Sequence, residues 1–230
     1  MPDAQNRLIE LLPSRDRKRL LAICDPVQLV LKEELCARGE PMRHVYFPSH
    51  GFISLVAQVD QHPSLEVGMV GREGMVGASL LLGVPAVPLR ALVQGAGAAW
   101  RIDSAAFKAE LSSSPALQRI LGRYLFVLMA QMAASAACLR FHLIRPRLAR
   151  WLLMSQDRAH ADSFQVTQEF LAYMLGVRRV GVTAAARALQ QSGLITYHRG
   201  ELTVLDRAGL EAVACSCYAS DASTYAQVVA

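Results

Sequence analysis

Hydrophobic positions along the chain change their period several times. Leu8–Leu12 and Asp16–Ile23 space apolar residues three and four apart among charges, which predicts two short amphipathic helices. From Gly39 the texture turns to brief β-rich runs: Val45-Tyr46-Phe47, Phe52-Ile53-Ser54-Leu55-Val56, Glu66-Val67, Ala91-Leu92-Val93 and Trp100-Arg101-Ile102. Gly39, Gly51, Gly68, Gly71, Gly74, Gly77, Gly95 and Gly97 punctuate them. Glycines between short strands read as turns, so this stretch predicts a compact antiparallel roll or barrel.

Helical periodicity returns at Ser112-Ser113-Ser114-Pro115, where Ser114 can cap a helix and Pro115 can open its first turn. Only Gly122 interrupts good helix formers between Leu117 and Leu143. Two apolar seams run along this stretch. One holds Leu117, Leu121, Tyr124, Leu128, Gln131, Ser135 and Cys138; the other holds Leu125, Met129, Met132, Ala136, Leu139 and Leu143. A helix with two seams can face its own domain and a partner helix at once. The expectation is a dimerisation helix over 115–142, with Leu117, Leu121, Tyr124 and Leu128 at the interface; a helix buried in a monomer is the alternative. Pro146 marks a break, and Arg147–Met154 begins another helix.

The densest signal follows. Thr167 can cap a helix over Gln168–Leu175, and Gly176 permits the left-handed turn that ends it. A second helix continues from Val177 through Ala184 and Leu189 to Gly193. Leu194–Tyr197, a His198-Arg199-Gly200-Glu201 turn and Leu202–Leu205 then read as a two-stranded wing. Helix pair and hairpin together predict a winged helix-turn-helix, whose second helix enters the major groove by its first turns. Arg178 and Arg179 stand there, Thr183 one turn on and Arg187 another. An arginine fork matches guanine O6 and N7, whereas Arg199 at the wing tip and the Thr167 cap suit phosphates. Gly181 sits awkwardly inside such a helix, through a close approach to DNA or a later helix start.

Charge sharpens this picture. The 230 residues carry a formal charge of +5. Residues 141–210 hold nine Arg against five acids, while residues 1–140 hold fifteen Lys or Arg against twelve, so cationic density rises toward the carboxy-terminal part. The apolar share of 53% supports real cores. No signal peptide and no apolar run near bilayer length is visible, and Cys24, Cys36, Cys138, Cys215 and Cys217 suit a reducing cytoplasm. Cys24 and Cys36 are too few for an iron–sulfur cluster, and Cys215-Ser216-Cys217 falls in the other domain, so neither metal nor cofactor is expected. His44, His50 and His62 are loosely spaced. The glycine run 68–77 lacks the lysine and hydroxyl of a phosphate loop, and nothing reads as an enzyme site.

The chain as a whole resembles the Crp/Fnr family. The specific stretches are Val45-Tyr46-Phe47-Pro48 with Gly51, Gly71-Arg72-Glu73-Gly74-Met75-Val76-Gly77, Arg147–Leu153, and Phe170–Arg179. The resemblance implies an α+β chain in two parts. A β-roll, cyclic-nucleotide-binding-like sensor with its long helix would span 1–142, and a winged helix-turn-helix would span 143–230. It also implies a homodimeric transcription regulator on double-stranded DNA, meeting RNA polymerase and answering a small-molecule effector. Aligned on Gly176, Arg179 matches the family's first base-reading arginine, whereas Val180 and Ala184 replace its glutamate and second arginine. In the sensor, the ribose-binding Gly-Glu pair becomes Gly74-Met75, the phosphate-binding Arg-Ser falls on Leu89-Arg90, and Met132 takes an adenine-reading hydroxyl's place. Arg90 stands one residue late, where strand alternation turns it to the other face. Cyclic AMP is therefore not expected to bind. A protein-interaction module, its winged helix docking a protein, is the rival function.

Overall fold

The computed structural model describes residues 5–60 and 64–229, so His62 lies outside them. The first predicted helices form as α1 (Arg7–Glu10), capped by the Asn6 side chain, and α2 (Ser14–Ala22). Five strands follow: β1 (Asp25–Leu29), β2 (Glu34–Cys36), β3 (His44–Ala57), β4 (Leu65–Val70) and β5 (Arg90–Asp103). They make one antiparallel sheet in the order β1-β5-β3-β4, with β2 also on β5.

The expectation of brief strands separated by turn glycines is corrected here. Val45–Phe47 and Phe52–Val56 belong to one 14-residue strand, and Ala91–Val93 and Trp100–Ile102 to another. Their pairing slips between Pro48 and Ile53. A Cβ at Gly97 would lie 2.2 Å from the His50 carbonyl oxygen, and Gly51 has φ +74°. These glycines therefore let two long strands bulge and press together; they do not end them.

Asp103 caps α3 (Ser104–Ser113), and Ser114 caps the long α4 (Pro115–Phe141) through the Leu117 amide. Helix α4 is long and apolar enough, by length and composition alone, to cross a membrane, a test that the core helix of a soluble protein also passes. One side of it packs on the β-domain, while Arg119, Arg123 and Arg140 are exposed on the remainder. Leu117, Leu121, Tyr124 and Leu128 are all buried in this first core with Phe47, Ile102 and Phe107. They cannot also meet a second chain, so the interface assigned to that seam is corrected.

After a break at His142-Leu143, α5 (Ile144–Ala159) begins the carboxy-terminal unit. Then come β6 (Ser163–Gln165), α6 (Gln168–Met174), α7 (Arg179–Gln191), β7 (Ile195–His198), β8 (Glu201–Val204), α8 (Arg207–Val213) and α9 (Cys217–Val228). A second core gathers Leu148, Leu152, Leu171, Val182, Leu189 and Leu210, and Phe52 and Met69 of the sheet join it. The tail returns: α9 lies along α4, and Val229 enters the first core.

Candidate nucleic-acid interface and effector cavity

The helix pair is built from local chemistry. Thr167 Oγ1 accepts the Phe170 amide at 3.1 Å and so starts α6. Gly176, at φ +60°, ends it, and the Val177 amide reaches back to the Ala172 carbonyl at 3.0 Å. A guanidinium N–H of the buried Arg147 donates to the Leu175 carbonyl, one of the orphan acceptors at a helix end. That arginine thereby fixes the turn to α5. Helix α7 begins two residues later than predicted, with Arg178 as its cap residue. Gly181 is there because a Cβ would lie 2.6 Å from Ile144 Cδ1 of α5, so close helix packing explains it.

Burial then divides α7. Val182, Ala185, Ala186 and Leu189 face the core, whereas Arg179, Val180, Thr183, Ala184 and Arg187 are exposed. Arg178 and Arg199 are exposed as well, the latter at the tip of the β7–β8 hairpin with φ +49° before Gly200 at φ +85°. Two successive left-handed residues make the tight turn that suits a two-residue hairpin loop. Thr183 is already engaged, its hydroxyl 2.6 Å from Gln168 Oε1 and 3.1 Å from the Arg179 carbonyl. No hydrogen bond or ion pair holds the side chains of Arg178, Arg179, Arg187 or Arg199 among the described residues. Four free forks on one helix and its wing can meet phosphates and base edges together.

The positions picked out in the sensor separate. Leu89 and Met132 line a cavity of about 210 Å³ between the sheet and α4, with Leu55, Val76, Leu125 and Met129. Among the described residues no charged side chain lines it. Gly74 and Met75 lie outside this cavity, against Tyr124: a Cβ on Gly74 would sit 2.3 Å from the phenol oxygen, which donates to the Met75 carbonyl at 3.3 Å. Arg90 is turned away too, its Nε donating to Glu34 at 2.7 Å. The sequence had placed these five residues in one pocket, and the structure brings only Leu89 and Met132 there.

Sequence reasoning also passed over the side chains that join the two units. Arg158 Nε lies 2.7 Å from Glu73 Oε1, and Arg150 pairs with Asp221 at 2.7 Å. Trp151 Nε1 donates to Glu66 Oε1 at 3.0 Å, and Ser54 donates to the other carboxylate oxygen. Burial, only partly offset by these hydrogen bonds and by the charges of Arg158 and Arg150, raises the Glu66 pKa to about 7. Leu65 packs against Gly176, so the helix-turn-helix touches the sheet directly. The signal was arginines embedded in the apolar run 147–153.

Residues 146–213 match the family model of the Crp-like helix-turn-helix domain. No curated protein matches the chain by sequence. Solved structures do match in fold. A CRP-family transcriptional regulator of Thermus thermophilus is 25% identical at a TM-score of 0.66, over 82% of this chain and 96% of that one. A second Thermus thermophilus regulator, of the CRP/FNR family, is 21% identical at 0.68, over 83% and 98%. The c-di-GMP-responsive global regulator CLP of Xanthomonas campestris is 19% identical at 0.67, over 84% and 100%. The chain thus has a Crp/Fnr-type transcriptional-regulator fold, with an antiparallel β-domain, a long helix and a Crp-like helix-turn-helix DNA-binding domain at residues 146–213.

Proposed function

We propose that this protein is a sequence-specific, homodimeric transcription regulator of the cytoplasm, reading DNA through α7 and its wing. The observation that carries the reading is the row of unpaired exposed arginines, Arg178, Arg179, Arg187 and Arg199, on a helix-turn-helix whose turn is locked by Arg147. Arg179 reads a base edge, while Arg199 and the Thr167 cap hold phosphates. Val180 and Ala184, on the same exposed face, give it a different sequence preference from the cyclic-AMP receptor type. Selection from random duplex DNA, followed by salt titrations, tests this. Arg179→Ala should cost ~1–3 kcal/mol and relax preference at one position per half-site. Arg199→Ala should weaken all sequences alike and lower the salt slope by about 1 per subunit. Binding unaffected by both would leave the winged helix to a protein partner.

The dimer forms through the outer face of α4. Arg119, Gly122, Phe126, Met129, Ala133, Ala136 and Arg140 alternate three and four apart, and all seven are exposed. Gly122 has open space where a Cβ would stand, Phe126 is 57% exposed and Met129 61%. Small residues at that spacing let two helices approach closely. Phe126→Glu with Met129→Glu should sediment as a folded monomer with weakened DNA binding, whereas an intact dimer would move the interface elsewhere.

The sensor cavity suits an apolar effector, because among the described residues neither a carboxylate nor a free guanidinium faces it. Cyclic AMP and cyclic GMP should leave the melting temperature unchanged; micromolar binding by calorimetry would refute this.

A further inference from the structure

Four thiol and imidazole groups that lie far apart in the sequence meet where α4 ends. Cys138 and His142 stand one turn apart at its last turn and cap, Cys215 stands between α8 and α9, and Cys217 opens α9. The Sγ atoms of Cys138 and Cys215 are 3.5 Å apart, and Cys217 Sγ lies 3.6 Å from His142 Nδ1. One ligand atom from each of the four falls within 4.8 Å of all the others. Cys138 and Cys215 are buried, and Cys217 and His142 are half-buried.

We propose that Cys138, His142, Cys215 and Cys217 form a structural Cys₃His site for a thiophilic divalent cation, zinc by its chemistry. Tetrahedral zinc holds sulfur at ~2.3 Å and imidazole nitrogen at ~2.0–2.1 Å, which puts neighbouring ligand atoms roughly 3.5–3.8 Å apart. The two short separations already match those edges, so small side-chain rotations close the site. Three thiolates, one neutral imidazole and a dication carry a net charge of −1. Arg147 and Arg150 line a small cavity with Cys138, placing positive charge beside it. Arg150 Nε is buried without a hydrogen-bond acceptor, the kind of donor a metal-bound thiolate satisfies. A Cys138–Cys215 disulfide would explain two of the four groups; a metal explains all of them.

The site would clamp the α8–α9 linker and the start of α9 onto the end of α4, just before the chain enters α5. Metal binding would release the thiol protons to solvent and bring its free energy into the fold, so its loss should loosen the tail and the position of the DNA-binding unit.

Full-length protein, expressed with zinc and purified with reductant but no chelator, should contain about one zinc per chain by elemental analysis. The metal-free protein should take up Co(II) with sulfur-to-cobalt charge transfer and intense tetrahedral d–d bands, and zinc should bleach both. Cys217→Ser and His142→Ala, at the half-buried ligands, should each keep wild-type circular dichroism and weaken Co(II) binding tenfold or more. Wild-type protein with no zinc and no cobalt–thiolate spectrum overturns the proposal. So does a spectrum that Cys217→Ser leaves unchanged, iron with acid-labile sulfide in zinc's place, or a Cys138–Cys215 disulfide whose reduction restores no metal binding.

Discussion

Two sets of arginines in the carboxy-terminal unit have opposite lives. Arg147, Arg150 and Arg158 are buried on α5, and each is partnered: by the Leu175 carbonyl, by Asp221 and by Glu73. Arg178, Arg179, Arg187 and Arg199 are exposed, and among the described residues no hydrogen bond or ion pair holds their side chains. Net charge counts both sets alike, so the cationic density of residues 141–210 overstates the surface offered to phosphate. The buried set positions a domain; only the exposed set is free to exchange solvent for a polyanion. Removing a member of each should therefore show in different measurements.

The largest expected effect belongs to the seam. Arg158→Ala strands the Glu73 carboxylate, and breaking a buried pair typically costs ~3–5 kcal/mol. Chemical denaturation should read about 3 kcal/mol at this partly solvated pair, and Glu73→Gln in the same chain should recover part of it. A loss below ~0.5 kcal/mol would erase the contrast between the two sets.

Next comes the pH dependence of the same seam. In the folded chain Glu66 titrates at about 7, above its ordinary value of 4.5, chiefly through burial. The folded state thus holds its proton more tightly than the unfolded one. The associated stability is fully present below pH 4.5, falls as the pH rises, and is gone above pH 7. Glu66→Gln keeps an acceptor for Trp151 and removes the titration, so the loss between pH 5 and pH 8 should shrink by up to about 3 kcal/mol. Equal pH profiles for the two proteins would show that water reaches the carboxylate freely.

The smallest effect is on the exposed side. Arg178→Ala, Arg187→Ala and Arg199→Ala should each change unfolding free energy by no more than ~0.5 kcal/mol, though they face the DNA. A larger loss would mean that these side chains hold the fold.

The sequence was most legible where one residue dictates local geometry. The caps Ser114 and Thr167, the left-handed Gly176 and the Arg199-Gly200 turn each act within a few residues of themselves. It was least legible where two segments must be known together. Gly95 and Gly97 look like turn residues until β3 is laid against β5. The two seams of α4 share an apolar pattern, and only the sheet on one side decides which is inward. Pro26 disguised β1, an outer strand of the sheet, where a missing N–H is tolerated. Cys138 and Cys215 are 77 residues apart, so no spacing rule could bring them together.

The returning tail has a consequence for how the molecule is made. Tyr225 donates to the Glu73 carbonyl at 2.9 Å across 152 residues of chain, and Val229 sits among side chains as early as Leu8. The β-domain therefore emerges from the ribosome with part of its apolar interior open, and it stays open until the winged helix has been synthesised. Contacts of such long sequence separation slow folding and prolong the exposure of sticky surface. Nascent chains stalled before residue 217 should accordingly be held by chaperones longer than those released at full length.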